Sequence, residues 1–180
     1  MYMQVVFIHG APASGKHTIG VRLAERTGLP LFHNHLAVDT AMSLFAFGTG
    51  AFDRMRAVIW RTAFAEAAAV GKSFIFTFNP ESTVDPALIQ ELCASVRGAG
   101  GRVHFVELVC SRETILRRLG NEDRRTFRKL TDTERYRAVE AQGGFAFPPL
   151  PPPLLVIDTD ALTPEEAAGR IAAAIEACGR

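Results

Sequence analysis

Residues 4–18 read Gln4-Val5-Val6-Phe7-Ile8-His9-Gly10-Ala11-Pro12-Ala13-Ser14-Gly15-Lys16-His17-Thr18. Four consecutive apolar residues, Val5 to Ile8, are the pattern of a strand covered on both faces, so residues 4–9 are predicted as the first strand. Two glycines and a proline follow, and then Ile19, Leu23 and Ala24 recur at helical spacing up to a stop at Gly28, predicting a helix over 15–27. Strand, tight glycine turn and helix make the first βα unit, and the rest of the chain repeats the alternation. Further strands are predicted at 30–35, 73–78, 102–109 and 154–157. Helices are predicted over 52–70, from the cap-and-proline pair Asp85-Pro86 to about 97, from Ser111 through 119, from the Thr131/Glu134 capping box to about 142, and from the Thr163/Glu166 box onward. Short apolar strands alternating with helices indicate an α/β fold on a parallel sheet. The proline-rich run 145–153 cannot be regular helix, but it is too short to separate domains.

The bulk properties suit that fold. The 180 residues are 48% hydrophobic, enough for the core of one domain. The formal net charge of +1 gives no long electrostatic track for nucleic acid or an anionic membrane. No apolar run approaches the roughly 20 residues that span a bilayer. Residues 1–10 lack a basic segment and a small-residue cleavage site, so they read as a strand and not as a signal peptide. The three cysteines, Cys93, Cys110 and Cys178, form no CxxC pair and are expected as reduced thiols of a cytoplasmic protein.

The chemistry concentrates in Gly10-Ala11-Pro12-Ala13-Ser14-Gly15-Lys16. Glycines allow a backbone that turns its N–H groups inward, and the helix that follows adds partial positive charge. Lysine at this spacing sets a full charge near the terminal phosphates of a nucleotide. The segment is therefore expected to bind a nucleoside triphosphate, with ATP and Mg²⁺ as cofactors and with Gly10 to Lys16, His17 and Thr18 lining the site. One position departs from the pattern. The residue after the lysine should carry a hydroxyl for Mg²⁺, and His17 stands there instead; neutral imidazole is a poor ligand for that hard ion.

On these residues the chain resembles the P-loop kinase superfamily of adenylate, shikimate and chloramphenicol kinases. Within it, the chain is similar to little-characterised bacterial proteins labelled shikimate-kinase-like or AAA-type ATPases. The resemblance runs from the loop through Leu23, Ala24, Gly28, Leu29 and Pro30. Adenylate kinases also lack a hydroxyl directly after the lysine. It implies a three-layer P-loop fold whose five-stranded parallel sheet has the order 2-3-1-4-5, forming one domain with a small arginine-rich lid at about 120–131. Residues 112–129 carry seven basic side chains (Arg112, Arg117, Arg118, Arg124, Arg125, Arg128 and Lys129) against three acids. By resemblance Arg118 lies near the adenine or phosphates, and Arg124, Arg125 or Arg128 on the transferred group, where paired guanidinium bonds stabilise developing charge.

An acceptor is expected at the carboxyl ends of the strands. The second strand ends in His33-Asn34-His35, with Asp39 a few residues on. If that segment stays extended, His33 and His35 share a face. Where shikimate-type kinases carry acids, this chain has histidines and an asparagine. His35 or Asp39 is the candidate base for an acceptor hydroxyl, and His33, Asn34 and Asn79 are candidate acceptor contacts. By resemblance to nucleotide kinases, Arg61 joins them. Phe45, Phe47 and Phe52 are a possible apolar wall. The third strand ends in Thr77-Phe78-Asn79-Pro80-Glu81; Thr77 stands where many P-loop proteins place a metal-orienting aspartate, and Glu81 or Asp39 are the available substitutes. A zinc site of His33, His35 and His9 is possible on ligand type.

These features point to a phosphotransferase that moves the γ-phosphate of ATP to a small-molecule or nucleotide acceptor. The alternatives are an ATP- or GTP-binding protein or slow NTPase without an acceptor, and a kinase of a nucleic-acid end. The acceptor, the metal arrangement and the oligomeric state are not fixed by the sequence.

Overall fold

A computed structural model describes residues 2–120, 133–143, 145 and 148–179. Five strands, β1 (Gln4–Gly10), β2 (Leu31–His33), β3 (Phe74–Phe78), β4 (Arg102–Val109) and β5 (Leu155–Asp158), form a parallel sheet in the order β2-β3-β1-β4-β5. This is the order the resemblance implies.

Seven helices occur among the described residues: α1 (Lys16–Thr27), α2 (Asn34–Met42), α3 (Gly50–Ala69), α4 (Pro86–Gly98), α5 (Arg112–Leu119), α6 (Thr133–Ala141) and α7 (Pro164–Gly179). The apolar run of β1 serves both faces of the sheet, because successive side chains alternate. Val5 and Phe7 join Phe76, Phe78 and Phe105 beneath Trp60 and Phe64 of α3 and Leu88, Ile89 and Leu92 of α4. Val6 and Ile8 join Ile75, Val106 and Ile157 beneath Ile19 and Leu23 of α1 and Ile171 and Ile175 of α7. Each fully buried side chain of this size stabilises the fold by about 1.5–3 kcal/mol.

The predicted helix boundaries hold where capping chemistry is local. Gly28 closes α1 in the left-handed region at φ 72°. Asp85 accepts a bond from the Ala87 N–H at 2.9 Å ahead of Pro86, and Ser111 accepts from Thr114 at 3.2 Å. The Thr163/Glu166 box is formed in both directions, at 2.9 and 3.3 Å. Among the described residues, no helix is long and apolar enough to cross a membrane.

Two expectations fail at the second strand. It stops at His33, and Asn34 starts a helix that periodicity does not announce. His33 and His35 therefore do not alternate along one strand: His33 caps α2 and His35 lies in its first turn. The cause is tertiary. The Thr77 hydroxyl of β3 accepts the Asn34 N–H at 3.2 Å, and α2 buries Val38 and Ala41 in a cluster with Phe52 of α3. The expected lid, 120–131, lies outside the described residues except for Gly120, and with it Arg124, Arg125, Arg128 and Lys129.

Candidate functional site

Parallel strands bring the ends of β1, β2 and β3 to one edge of the sheet, and the glycine-rich turn leaves β1 at that edge. Gly10 has φ 153°, and a Cβ there would meet the Leu108 carbonyl oxygen at 2.5 Å, so only glycine fits. Ala13 (φ 63°) and Gly15 (φ 95°) take left-handed backbone just ahead of α1, the kind of conformation in which successive N–H groups form an anion cradle at a helix N-terminus.

The Lys16 ammonium crosses the mouth of this cradle. It donates to the carbonyls of Gly10 (2.8 Å) and Ala11 (2.6 Å) and lies 3.4 Å from both Ser14 Oγ and Asn79 Oδ1. Ser14, Pro12 and Ala13 are buried, whereas Thr18 is exposed. His9 sits directly before the loop. Burial, with a smaller contribution from Lys16, lowers its pKa to about 4, so it is a neutral residue.

Around the loop, three groups assemble. The first is a row of imidazoles: His17 packs edge-on to His33 with ring centroids 4.8 Å apart, and His33 lies 6.5 Å from His35. Asp39 follows His35 by one helical turn, on the same side of α2. Asn34 is buried, and its Oδ1 has no hydrogen-bond partner among the described residues.

The second group joins the loop to the far end of the sheet. Arg118 of α5 donates to Thr159 Oγ1 (2.9 Å) and the Thr159 carbonyl (2.8 Å), and reaches the Ala13 carbonyl at 3.4 Å. Asp160 accepts the Ser111 N–H at 2.6 Å. Tyr136 of α6 is buried against Ala13, Ile115 and Leu119 and stacks on Phe145. Cys110 joins this cluster, where burial raises its thiol pKa, as it does for Cys93.

The third group is a clasp that the motifs do not announce. Arg56 of α3 is 1% exposed. It donates to Glu81, to Asp53 Oδ1 (3.0 Å), and to the Thr83 hydroxyl (3.2 Å) and carbonyl (3.3 Å). Its guanidinium lies over the rings of Phe52 (5.0 Å) and Trp60 (5.2 Å). One signal was available in the sequence: Phe52, Arg56, Trp60, Phe64 and Ala68 recur every fourth residue, an arginine inside an apolar stripe.

Several expected roles change. Thr77 holds the head of α2, and Asn79 is the β3-end residue that faces Lys16. Glu81 is engaged by Arg56, so it does not stand in for a metal ligand. Arg61 pairs with Glu91 of α4 at 2.7 Å, with both side chains about half exposed, which draws it to the outer α3–α4 face instead of the crevice. Phe52 is fully buried and packs on Phe47 at 4.9 Å, so it belongs to the core and not to an acceptor wall.

Among the described residues, no three His, Cys, Asp or Glu side chains are arranged to hold a metal ion. The zinc arrangement gains no support from this. His17 packs on His33 and the Thr77 hydroxyl accepts the Asn34 N–H; Mg²⁺ commonly arrives with nucleotide phosphates and keeps several of its waters.

No protein-family model matches the chain, and no curated protein matches it in sequence. Solved structures do match in fold. A candidate kinase from Chloroflexus aurantiacus j-10-fl is 19% identical, with 96% of this chain and 98% of that chain covered, at a TM-score of 0.71. A sugar kinase from Janibacter sp. HTCC2649 is 18% identical, with coverage of 97% and 95% and a TM-score of 0.66. The Mycobacterium tuberculosis APS kinase CysC, in complex with AMPPNP and APS, is 15% identical, with coverage of 97% and 98% and a TM-score of 0.64.

Proposed function

We propose that this protein is an ATP-dependent phosphotransferase acting on a small hydroxylated acceptor. The observation that carries the proposal is the position of the Lys16 ammonium. It is fixed by two loop carbonyls at the mouth of a concave amide cradle and faces Asn79 from the neighbouring strand. A cation set there meets the terminal phosphates of a nucleotide whose polyphosphate follows the loop. The solved neighbours support the same class of chemistry, since one is a sugar kinase, one a candidate kinase, and one an APS kinase that holds the ATP analogue AMPPNP.

In this mechanism the amides at the head of α1, those of Ala13, Gly15 and Lys16, hold the β- and γ-phosphates together with the Lys16 ammonium, and Arg118 braces the loop from the nucleotide side. Arg124 and Arg128 bring charge to the transferred group. The acceptor lies beside His33, Asn34 and Asn79. Its hydroxyl oxygen attacks the γ-phosphorus, the bond from that phosphorus to the β,γ-bridging oxygen breaks, and ADP leaves with the electron pair. The hydroxyl proton passes to His35, with Asp39 one turn away to hold the resulting imidazolium. The products are ADP and a phosphomonoester. Purified protein given γ-labelled ATP and a panel of hydroxylated compounds is expected to label one of them. Release of labelled inorganic phosphate alone, with every acceptor, would refute the proposal.

The altered metal positions favour a second reading, a nucleotide-binding protein that hydrolyses ATP or GTP slowly. Tight nucleotide binding without transfer to any acceptor is its signature.

A further inference from the structure

We propose that Glu81 sets acceptor specificity by occupying Arg56, so that the site selects an uncharged hydroxylated acceptor, a sugar, polyol or nucleoside, over an anionic one. The inference rests on the phosphotransferase reading and concerns the acceptor side of that site.

Arginine is the residue best suited to holding the carboxylate or phosphate of an anionic acceptor, through paired N–H bonds. Two arginines of α3 are close enough in sequence to the crevice to be considered with Arg56, and neither is available for this. Arg61 is drawn off by Glu91. Arg54, two residues before Arg56, points about 200° around the helix from it and is exposed. Arg56 faces inward, and its terminal nitrogens are already committed to Glu81, Asp53 and Thr83. Its Nε–H lacks a partner but is sealed from solvent.

The clasp adjoins the site along the chain. Glu81 follows Asn79 by two residues, and Asn79 touches Lys16. Thr83 reinforces the arrangement by donating its hydroxyl to Glu81 at 3.1 Å. The charges also decide the sign. With Glu81 ionised, Arg56, Asp53 and Glu81 sum to −1 (+1 −1 −1); burial raises the Glu81 pKa, and with its proton on the sum is 0. In neither state does the clasp offer positive charge to an incoming anion.

The groups at this rim, His33, His35 and Asn79, both donate and accept hydrogen bonds when neutral, as recognition of hydroxyl groups requires.

The test uses matched pairs: hexoses against hexuronic acids, and nucleosides against their monophosphates, each with γ-labelled ATP. The wild-type protein is expected to favour the neutral member at least tenfold in kcat/KM. Glu81→Gln, which takes the Glu81 negative charge from Arg56, is expected to narrow that preference at least tenfold, chiefly through a lower KM for the anionic member, while Glu81→Asp retains it. A wild-type preference for the anionic member overturns the inference, as does a Glu81→Gln variant that loses both classes in equal proportion, the signature of a purely structural clasp. Transfer to neither class by wild-type protein that binds ATP refutes the phosphotransferase reading itself, a result distinct from transfer with the opposite preference.

Discussion

The phosphate loop and the acceptor rim lie side by side but are built in opposite ways. The loop is one run of seven residues, and its working surface is mostly backbone: amides aimed by the φ values of Ala13 and Gly15, with a lysine tied to carbonyls five and six residues away. The rim is drawn from three separate segments, 33–39, 53–56 and 77–83, joined by bonds such as Arg56 to Thr83 and Asn34 to Thr77 that span 27 and 43 residues. The triphosphate tail is the same in every nucleoside triphosphate, so a backbone cradle suffices for it. An acceptor differs from one enzyme to the next, and only side chains can encode that difference.

The comparison is broken most severely by Lys16→Ala. It is expected to abolish transfer and to lower ATP affinity about a hundredfold, the scale of losing charge-assisted bonds to phosphate, with the far-ultraviolet circular dichroism unchanged. Calorimetry measures this; an unchanged dissociation constant would remove the loop from the mechanism.

On the rim side, His35→Ala is expected to reduce kcat about a hundredfold, within the range for a lost general base, while ATP affinity stays within threefold. Asp39→Ala should do less, and the double variant no more than His35→Ala alone. Equal losses in kcat and in ATP affinity would instead make His35 a structural residue.

Gly10→Ala sharpens the backbone side. The added methyl meets the Leu108 carbonyl at 2.5 Å on a φ of 153°, which costs about 2–3 kcal/mol and shows as a lower urea midpoint together with weaker nucleotide binding. A variant as stable as wild type would mean that the turn has room for a side chain.

Between the two regions, His9 gives a pH dependence with a defined sign. Its folded pKa of about 4 lies below its ordinary value of 6.5, so the unfolded chain takes up the proton first. Stability contributed by neutral His9 is full above pH 6.5 and is lost as pH falls toward 4, on the order of 1–2 kcal/mol by pH 5. His104, whose burial also lowers its pKa, adds in the same direction. Urea midpoints at pH 7 and pH 5 measure the slope, which should be shallower in His9→Gln; parallel slopes would assign the effect elsewhere.

The smallest effect is expected from Arg61→Ala. Its pair with Glu91 is half exposed on both sides, so stability should change by less than about 1 kcal/mol and turnover not at all. A clear rise in acceptor KM would return Arg61 to the rim.

These contrasts also explain what could be read in advance. The helix stops and caps at Gly28, Asp85, Ser111 and Thr163 were legible because each involves partners within four residues. The failures have long-range causes. Residues 33–35 look like the end of a strand until the Thr77 hydroxyl is set against the Asn34 amide. The apolar stripe marks Arg56 as inward-facing, but its partner Glu81 comes from the turn after β3, as Glu91 of α4 comes to Arg61, and neither pairing is local.

The sequence by itself determined the alternation of strands and helices, the sheet order through its resemblance, and the loop with its lysine, because hydrophobic period and glycine backbone freedom act over a few residues. The tertiary structure alone decided where the second strand gives way to a helix, that Asn79 faces the lysine, and which carboxylates engage Arg56 and Arg61. Those outcomes depend on which partners the folded chain brings within hydrogen-bonding distance, and no local pattern records that.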